Sequence, residues 1–242
     1  MPDDADAAGG GDEADAAVER GEGAWADSPA GVASEHDPDA TVLPATPVGY
    51  ADPVEFRYPI VVLVALVGML TVLSLAAFGW VLHVAQGPEA LATVFAVEET
   101  ADSVTFTTNV SVLALALAFG VVGVTVLHEF VHGLAYRLLG YDVSYGVLVG
   151  MGAFYAAAFH QFQRRDHNLV VGIAPLVVVD AVLLAALFVP EPTVAFLAFV
   201  GLLFNTAGAA GDVYLVATLL GLPDDALLYD SDARHCYVFR PE

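Results

Sequence analysis

Apolar positions in this chain come in long uninterrupted blocks rather than at helical or strand spacing, and the blocks begin only after residue 57. The segment from Tyr58 to Ala85 contains no acidic residue and no arginine. A bilayer crossing needs about 20 apolar residues at roughly 1.5 Å each, so 58–85 predicts a transmembrane helix. Tyr58 and Trp80 near its ends suit the membrane interface. Residues 86–108 are polar and carry Glu89, Glu98, Glu99 and Asp102. A second apolar block starts at Val110 and runs without a break into HEFVHGLAYRLLG, which predicts a span over 110–139. Two more follow, over 169–189 and 193–222, separated by the turn residues Pro190, Glu191 and Pro192.

The stretch between the second and third spans is too apolar for a plain loop. Val143, Tyr145 and Val147 alternate with smaller or polar residues, and Gly150 and Gly152 interrupt the run. This pattern predicts a β-hairpin or re-entrant segment. Non-helical backbone at membrane depth survives only where protein or a wet cavity covers it. The expected fold class is therefore an all-α integral membrane domain over 55–242, with about four transmembrane helices and this small hairpin. Residues 223–242 form a short tail after the last span. Residues 1–54, rich in Asp, Glu, Ala, Gly and Pro, cannot bury enough apolar surface to offset chain entropy and are expected to be a disordered acidic tail.

Charge then orients the spans. The formal net charge is −22, and all seven basic residues are arginine. With four spans, Arg20, Arg57, Arg137, Arg164, Arg165, Arg234 and Arg240 fall on one side, and the 86–108 loop and the 190–192 turn carry none. The positive-inside rule places both termini in the cytoplasm of a multi-pass cell-membrane protein. So acidic a chain offers no footprint for nucleic acid. An acid-rich composition without lysine is that of a protein from a high-salt cytoplasm. The single cysteine, Cys236, excludes an intramolecular disulfide and a Cys-rich metal site. The acidic first residues do not resemble a secretory signal.

Chemistry concentrates at the end of the second span, in His128-Glu129-Phe130-Val131-His132. Histidines four apart share a helix face and can reach one Zn²⁺, the expected cofactor. Glu129 sits one position on, within reach of a proton on a metal-bound water. Ionisable groups within a membrane cost about 2.5–3.5 kcal/mol each on insertion scales, and such groups are functional by default. The bland alternative is a polar helix end facing the cytoplasm.

A third ligand is needed, and Asp212 is the leading candidate. His128 lies roughly 27 Å into its span and Asp212 roughly 28 Å into the fourth, at helical rise and in the same direction. Gly201, Asn205, Gly208 and Asp212 form one stripe, and the small residues 207–211 let helices approach closely. The alternative is an aspartate that caps a neighbouring element. His160 and His167 are rival ligands, whereas His83 lies at the opposite end of the membrane. Asn205 is a candidate for substrate binding, to peptide backbone or a developing oxyanion. Asp180, five residues after Pro175, either supports the metal site or satisfies backbone groups freed by the proline.

HEFVHGLAYRLLG, the hairpin-like segment, APL around Pro175, and NTAGAAGD followed by LPDDALLYDSD resemble the family of membrane proteins known as putative zincin peptidases. The resemblance runs from about Phe56 to Glu242. The arrangement is also similar, more distantly, to site-2 proteases, which carry HExxH in one transmembrane helix and an Asp ligand in a later one. Here the aspartate stands in a Gly-Asp-Val context rather than Asp-Gly, so this second similarity is one of arrangement. The resemblance implies zinc ligands at His128, His132 and Asp212, Glu129 as general base, and a membrane protein or bilayer-proximal peptide as substrate. A metal-binding membrane protein without protease activity, such as a transporter or sensor, is the competing expectation.

Overall fold

A computed structural model describes residues 43–148 and 152–242. Its elements, in chain order, are β1 (Val54–Phe56), α1 (Ile60–Gln86), the single-turn α2 (Glu89–Ala92), β2 (Phe95–Glu99), β3 (Val104–Thr108) and α3 (Val110–Ala118). A π-helical segment (Phe119–Val124) leads into α4 (Thr125–Leu138). Then come β4 (Ser144–Leu148), β5 (Ala153–Ala157), β6 (Phe162–Arg164), α5 (Arg165–Ala186), α6 (Pro192–Gly208), α7 (Ala210–Leu220), β7 (Leu227–Asp230) and β8 (Cys236–Phe239). Two compact units share these elements.

The larger unit, Tyr58–Ala157 with Asp166–Gly221, holds the helices. Three are long and apolar enough to cross a membrane: Ile60–Gln86, the continuous Val110–Leu138, and Arg165–Ala186. The bent pair α6 and α7 makes a fourth if it counts as one span. Much of their apolar surface is left open. Of the 27 residues of α1 only Ser74 and Leu82 are buried, while Val61, Val64 and Val72 stand open. Water-soluble monomers rarely leave so large a contiguous apolar surface uncovered.

The core forms around α6, which buries Ala195, Phe196, Ala198, Phe199, Val200, Gly201, Leu202 and Asn205. It packs against α1, α3, the π-helical segment and α4. Glycines make two of these approaches possible. A Cβ on Gly120 would lie 2.4 Å from Cδ2 of Phe204, and one on Gly201 would meet Phe119, Leu183 and Val124 at 3.0–3.3 Å. The chain bends by 42° between α6 and α7 at Ala209, where the sequence had predicted an unbroken span over 193–222.

The all-α expectation does not hold: the described residues include eight strands. The anticipated hairpin between the second and third membrane helices is there, as β4 paired with β5 in antiparallel register, Tyr145 opposite Ala156. A second hairpin, β2 with β3, occupies the loop that had read only as polar. The smaller unit comprises residues up to Arg57, Ala158–Arg165 and Leu222–Glu242, and its sheet has the order β1-β8-β7-β6. Val54 pairs with Val238 and Phe162 with Tyr229. Three- and four-residue strands carry too few positions for alternation to register, and β1 and β6 find their partners β8 and β7 far away in sequence. Residues 1–42 of the expected disordered tail lie outside the described residues. Beyond them, Ala51 N–H donates to the Arg240 carbonyl, Tyr50 bridges Pro241, and Val54 opens β1.

Candidate metal centre

Helix α4 is continuous with α3 through the π-helical segment, so its two histidines sit inside a 29-residue apolar helix. His128 and His132 are both buried, one turn apart on the face toward the other helices. Their Nε2 atoms lie 3.1 Å apart. Asp212 arrives from the first turn of α7, with Oδ2 3.0 Å from His128 Nε2 and Oδ1 3.3 Å from His132 Nε2. The bend at Ala209 starts a new helix just ahead of Asp212, and the positive end of that helix favours its carboxylate. Gly172 on α5 keeps the way clear: a Cβ there would lie 3.0 Å from Val216 of α7.

The hydrogen bonds behind the rings define what these three groups present to one another. His132 Nδ1 lies 2.9 Å from the Val171 carbonyl, which can only accept, so Nδ1 carries the proton. His128 Nδ1 lies 3.0 Å from Asn205 Oδ1. The Asn205 amide is oriented by its other end, where Nδ2 donates to the Pro175 carbonyl at 3.2 Å and to Asp180 Oδ1 at 2.9 Å. Asn205 Oδ1 therefore accepts, and His128 Nδ1 also carries its proton. In neutral imidazoles both Nε2 atoms are then lone pairs. Two nitrogen lone pairs and a carboxylate converge on one point with no proton among them, an arrangement that is repulsive unless a cation or added protons fill it.

Zinc fits this donor set. Tetrahedral ligands at 2.0–2.1 Å stand about 3.3–3.4 Å from one another, and the three distances here are 3.0, 3.1 and 3.3 Å. His128, Glu129 and His132 also group together, with ligand atoms within 4.8 Å of one another. Glu129 is half-buried on the adjoining face, and its Oε2 accepts the Ala156 N–H at 2.9 Å. The hairpin strand β5 is thus fastened to the carboxylate beside the candidate ligands. Tyr145 of β4 lies across Gly133, where a Cβ would come 2.1 Å from the phenol oxygen, and the Arg137 guanidinium stands over the Tyr145 ring.

The sequence candidates thus fall into two sets. His128, Glu129, His132 and Asp212 are together. Asn205 is behind His128, fully buried, with its amide turned to His128, Pro175 and Asp180. Asp180 holds both Asn205 and, through Oδ2, the Thr206 hydroxyl at 2.9 Å. The rival histidines are elsewhere: His167 bonds to the Tyr141 hydroxyl at 2.8 Å, and His160 is an exposed residue of the smaller unit with φ of 59°. His83 lies in the last turn of α1. Three participants escaped the sequence: the Ala156 N–H and the Val171 and Pro175 carbonyls. Backbone groups leave no residue-type signal, although a proline at 175 does mark residue 171 as a carbonyl without its helical partner.

Residues 121–227, which contain the HEFVH pentad and Asp212, match the family model described as "Putative zincin peptidase". No curated protein and no solved structure matches the chain.

Proposed function

We propose that the protein is a membrane-embedded zinc metalloprotease that hydrolyses peptide bonds within or beside the bilayer. One observation carries this reading: two imidazole lone pairs and the Asp212 carboxylate converge at 3.0–3.3 Å next to a glutamate. His128, His132 and Asp212 would hold the metal, leaving the fourth position open. Zinc bound there supplies a Lewis acid that lowers the pKa of water to about 7 and polarises a carbonyl. Glu129 takes the proton from the attacking water as oxygen bonds to the scissile carbon. It returns that proton to the amide nitrogen as the C–N bond breaks. With Oε2 engaged by Ala156 N–H, Oε1 is the atom left to accept the proton.

The hairpin supplies a place for the substrate. Strand β5 carries the Ala156 N–H that bonds Glu129, so an extended peptide lying against the hairpin comes close to the base. The arginine distribution supports a centre near the cytoplasmic face, with both termini cytoplasmic. The substrate is then a membrane protein or a peptide segment close to that surface.

Zinc content tests the proposal. Purified wild type should carry stoichiometric zinc, and H132A and D212A should not. Wild type but not E129Q should cleave a membrane-anchored reporter. Equal zinc in all three proteins sinks the ligand set. Bound metal with full function in E129Q favours a transporter or sensor instead.

A further inference from the structure

Pro175 stands inside α5 and is fully buried, at a position where a proline is costly. A proline in a helix withholds the N–H that would bond to the carbonyl four residues earlier, and its ring crowds that carbonyl outward. Four residues before Pro175 is Val171, whose carbonyl accepts the His132 Nδ1–H at 2.9 Å. The Pro175 carbonyl in turn accepts from Asn205 Nδ2, and Asn205 Oδ1 accepts from His128 Nδ1. Helix α5 contributes no ligand, yet both imidazoles are oriented from it.

We propose that Pro175 is a positioning residue of the metal centre. By withholding one N–H it reserves the Val171 carbonyl for His132 and fixes that imidazole with Nε2 as the lone pair facing the metal position. The inference rests on the zinc reading above and extends it to a residue with no polar side chain. A purely structural alternative uses the same bond in the other direction, with His132 serving only to satisfy a carbonyl that the proline left bare. The two differ in what happens when the N–H is put back.

P175A restores the helical donor, which competes with His132 for the Val171 carbonyl. The positioning role predicts opposite effects on two measurements made with the full-length chain in detergent or nanodiscs. The melting temperature of the metal-free protein should hold or rise, because a helix interior prefers alanine. Zn²⁺ affinity, measured by competition with a chromophoric chelator, should fall by about 10–100-fold, as for other residues that orient a metal-ligating histidine. The structural alternative predicts a stability gain with affinity unchanged. A second arm reads the ring itself: ¹⁵N spectra of histidine-labelled wild type, with His132 identified by its loss in H132Q, should show the Nδ1–H tautomer. Unchanged zinc affinity in P175A, or an Nε2–H tautomer of His132 in wild type, overturns the proposal and leaves the ligand set standing. A wild type that binds no zinc overturns both.

Discussion

Glu129 has two jobs in this arrangement, and two substitutions separate them. In the proposed hydrolysis it receives a proton, and its Oε2 accepts the Ala156 N–H of β5 at 2.9 Å. E129Q keeps an acceptor of the same size in the same place but cannot take the proton. E129A removes both functions. General-base removal costs about 10²–10⁴ in rate, or roughly 3–5.5 kcal/mol of barrier at 1.36 kcal/mol per decade. Both variants should therefore be inactive on a reporter that wild type cleaves. Their hairpins should differ. A hydrogen bond to a charged acceptor contributes about 1.5–3 kcal/mol and a neutral one about 0.5–1.5 kcal/mol. E129Q should then loosen the β5 contact by about 1 kcal/mol, a roughly fivefold faster exchange of the Ala156 amide if local opening governs exchange. E129A loses the whole bond, for roughly 10–150-fold faster exchange on the same scale. Hydrogen exchange read by mass spectrometry on the β5 peptide, beside zinc content and reporter cleavage, checks all three quantities. More than about a tenth of wild-type activity in E129Q would refute the base assignment, given the usual size of that effect. Exchange in E129A equal to wild type would show that the hairpin is not held by this carboxylate.

Three other outcomes follow from the same geometry. D180A strips Asn205 Nδ2 and the Thr206 hydroxyl of an acceptor each, costing about 1–3 kcal/mol for the buried Asn205 N–H left unpaired; D180N, which retains an acceptor for Asn205, should melt close to wild type, and equal melting of the two variants counts against the Asp180 anchor. G120A puts a methyl 2.4 Å from Cδ2 and 3.0 Å from Cγ of Phe204, too near the base of that side chain for a simple swing, so thermal melts should show a loss of about 1–3 kcal/mol from overpacking. In the smaller unit, burial pushes the Asp230 carboxyl above its ordinary range, opposed by hydrogen bonds from Gln163 and Cys236. A raised folded-state pKa means that the folded form holds its proton longer than the unfolded chain, so this stability is present in acid and lost as pH rises through the folded value; D230N should lessen that decline, as read by denaturation of wild type and variant at pH 4 and pH 7.

Local features were legible in the sequence wherever the physics is local. An apolar block of 20 or more residues has one stable form in lipid, because every backbone group must be paired within the segment. The membrane-length helices therefore follow from composition. The pair His128 and His132 is equally local, since four residues along a helix is one turn. Even Asp212 could be nominated at a distance, because helical rise converts position in a span into depth.

What tertiary structure alone decided is how acceptors and donors meet between elements. The sequence marks Asn205 as a polar residue on the stripe of Asp212, and that made it a candidate for substrate. The fold turns its amide to His128, Asp180 and the Pro175 carbonyl. Which way an amide faces depends on neighbours 25 to 77 positions away, beyond any periodicity. The break at Ala209, the strands β1, β6, β7 and β8, and the bond from Ala156 to Glu129 have the same origin. Short strands are stabilised by partners rather than by their own propensity, and backbone groups carry no residue identity to read. Residue types and spacing nominated the candidate ligand atoms; the packing of α5 and α6 against α4 determined which lone pairs those atoms turn toward one another.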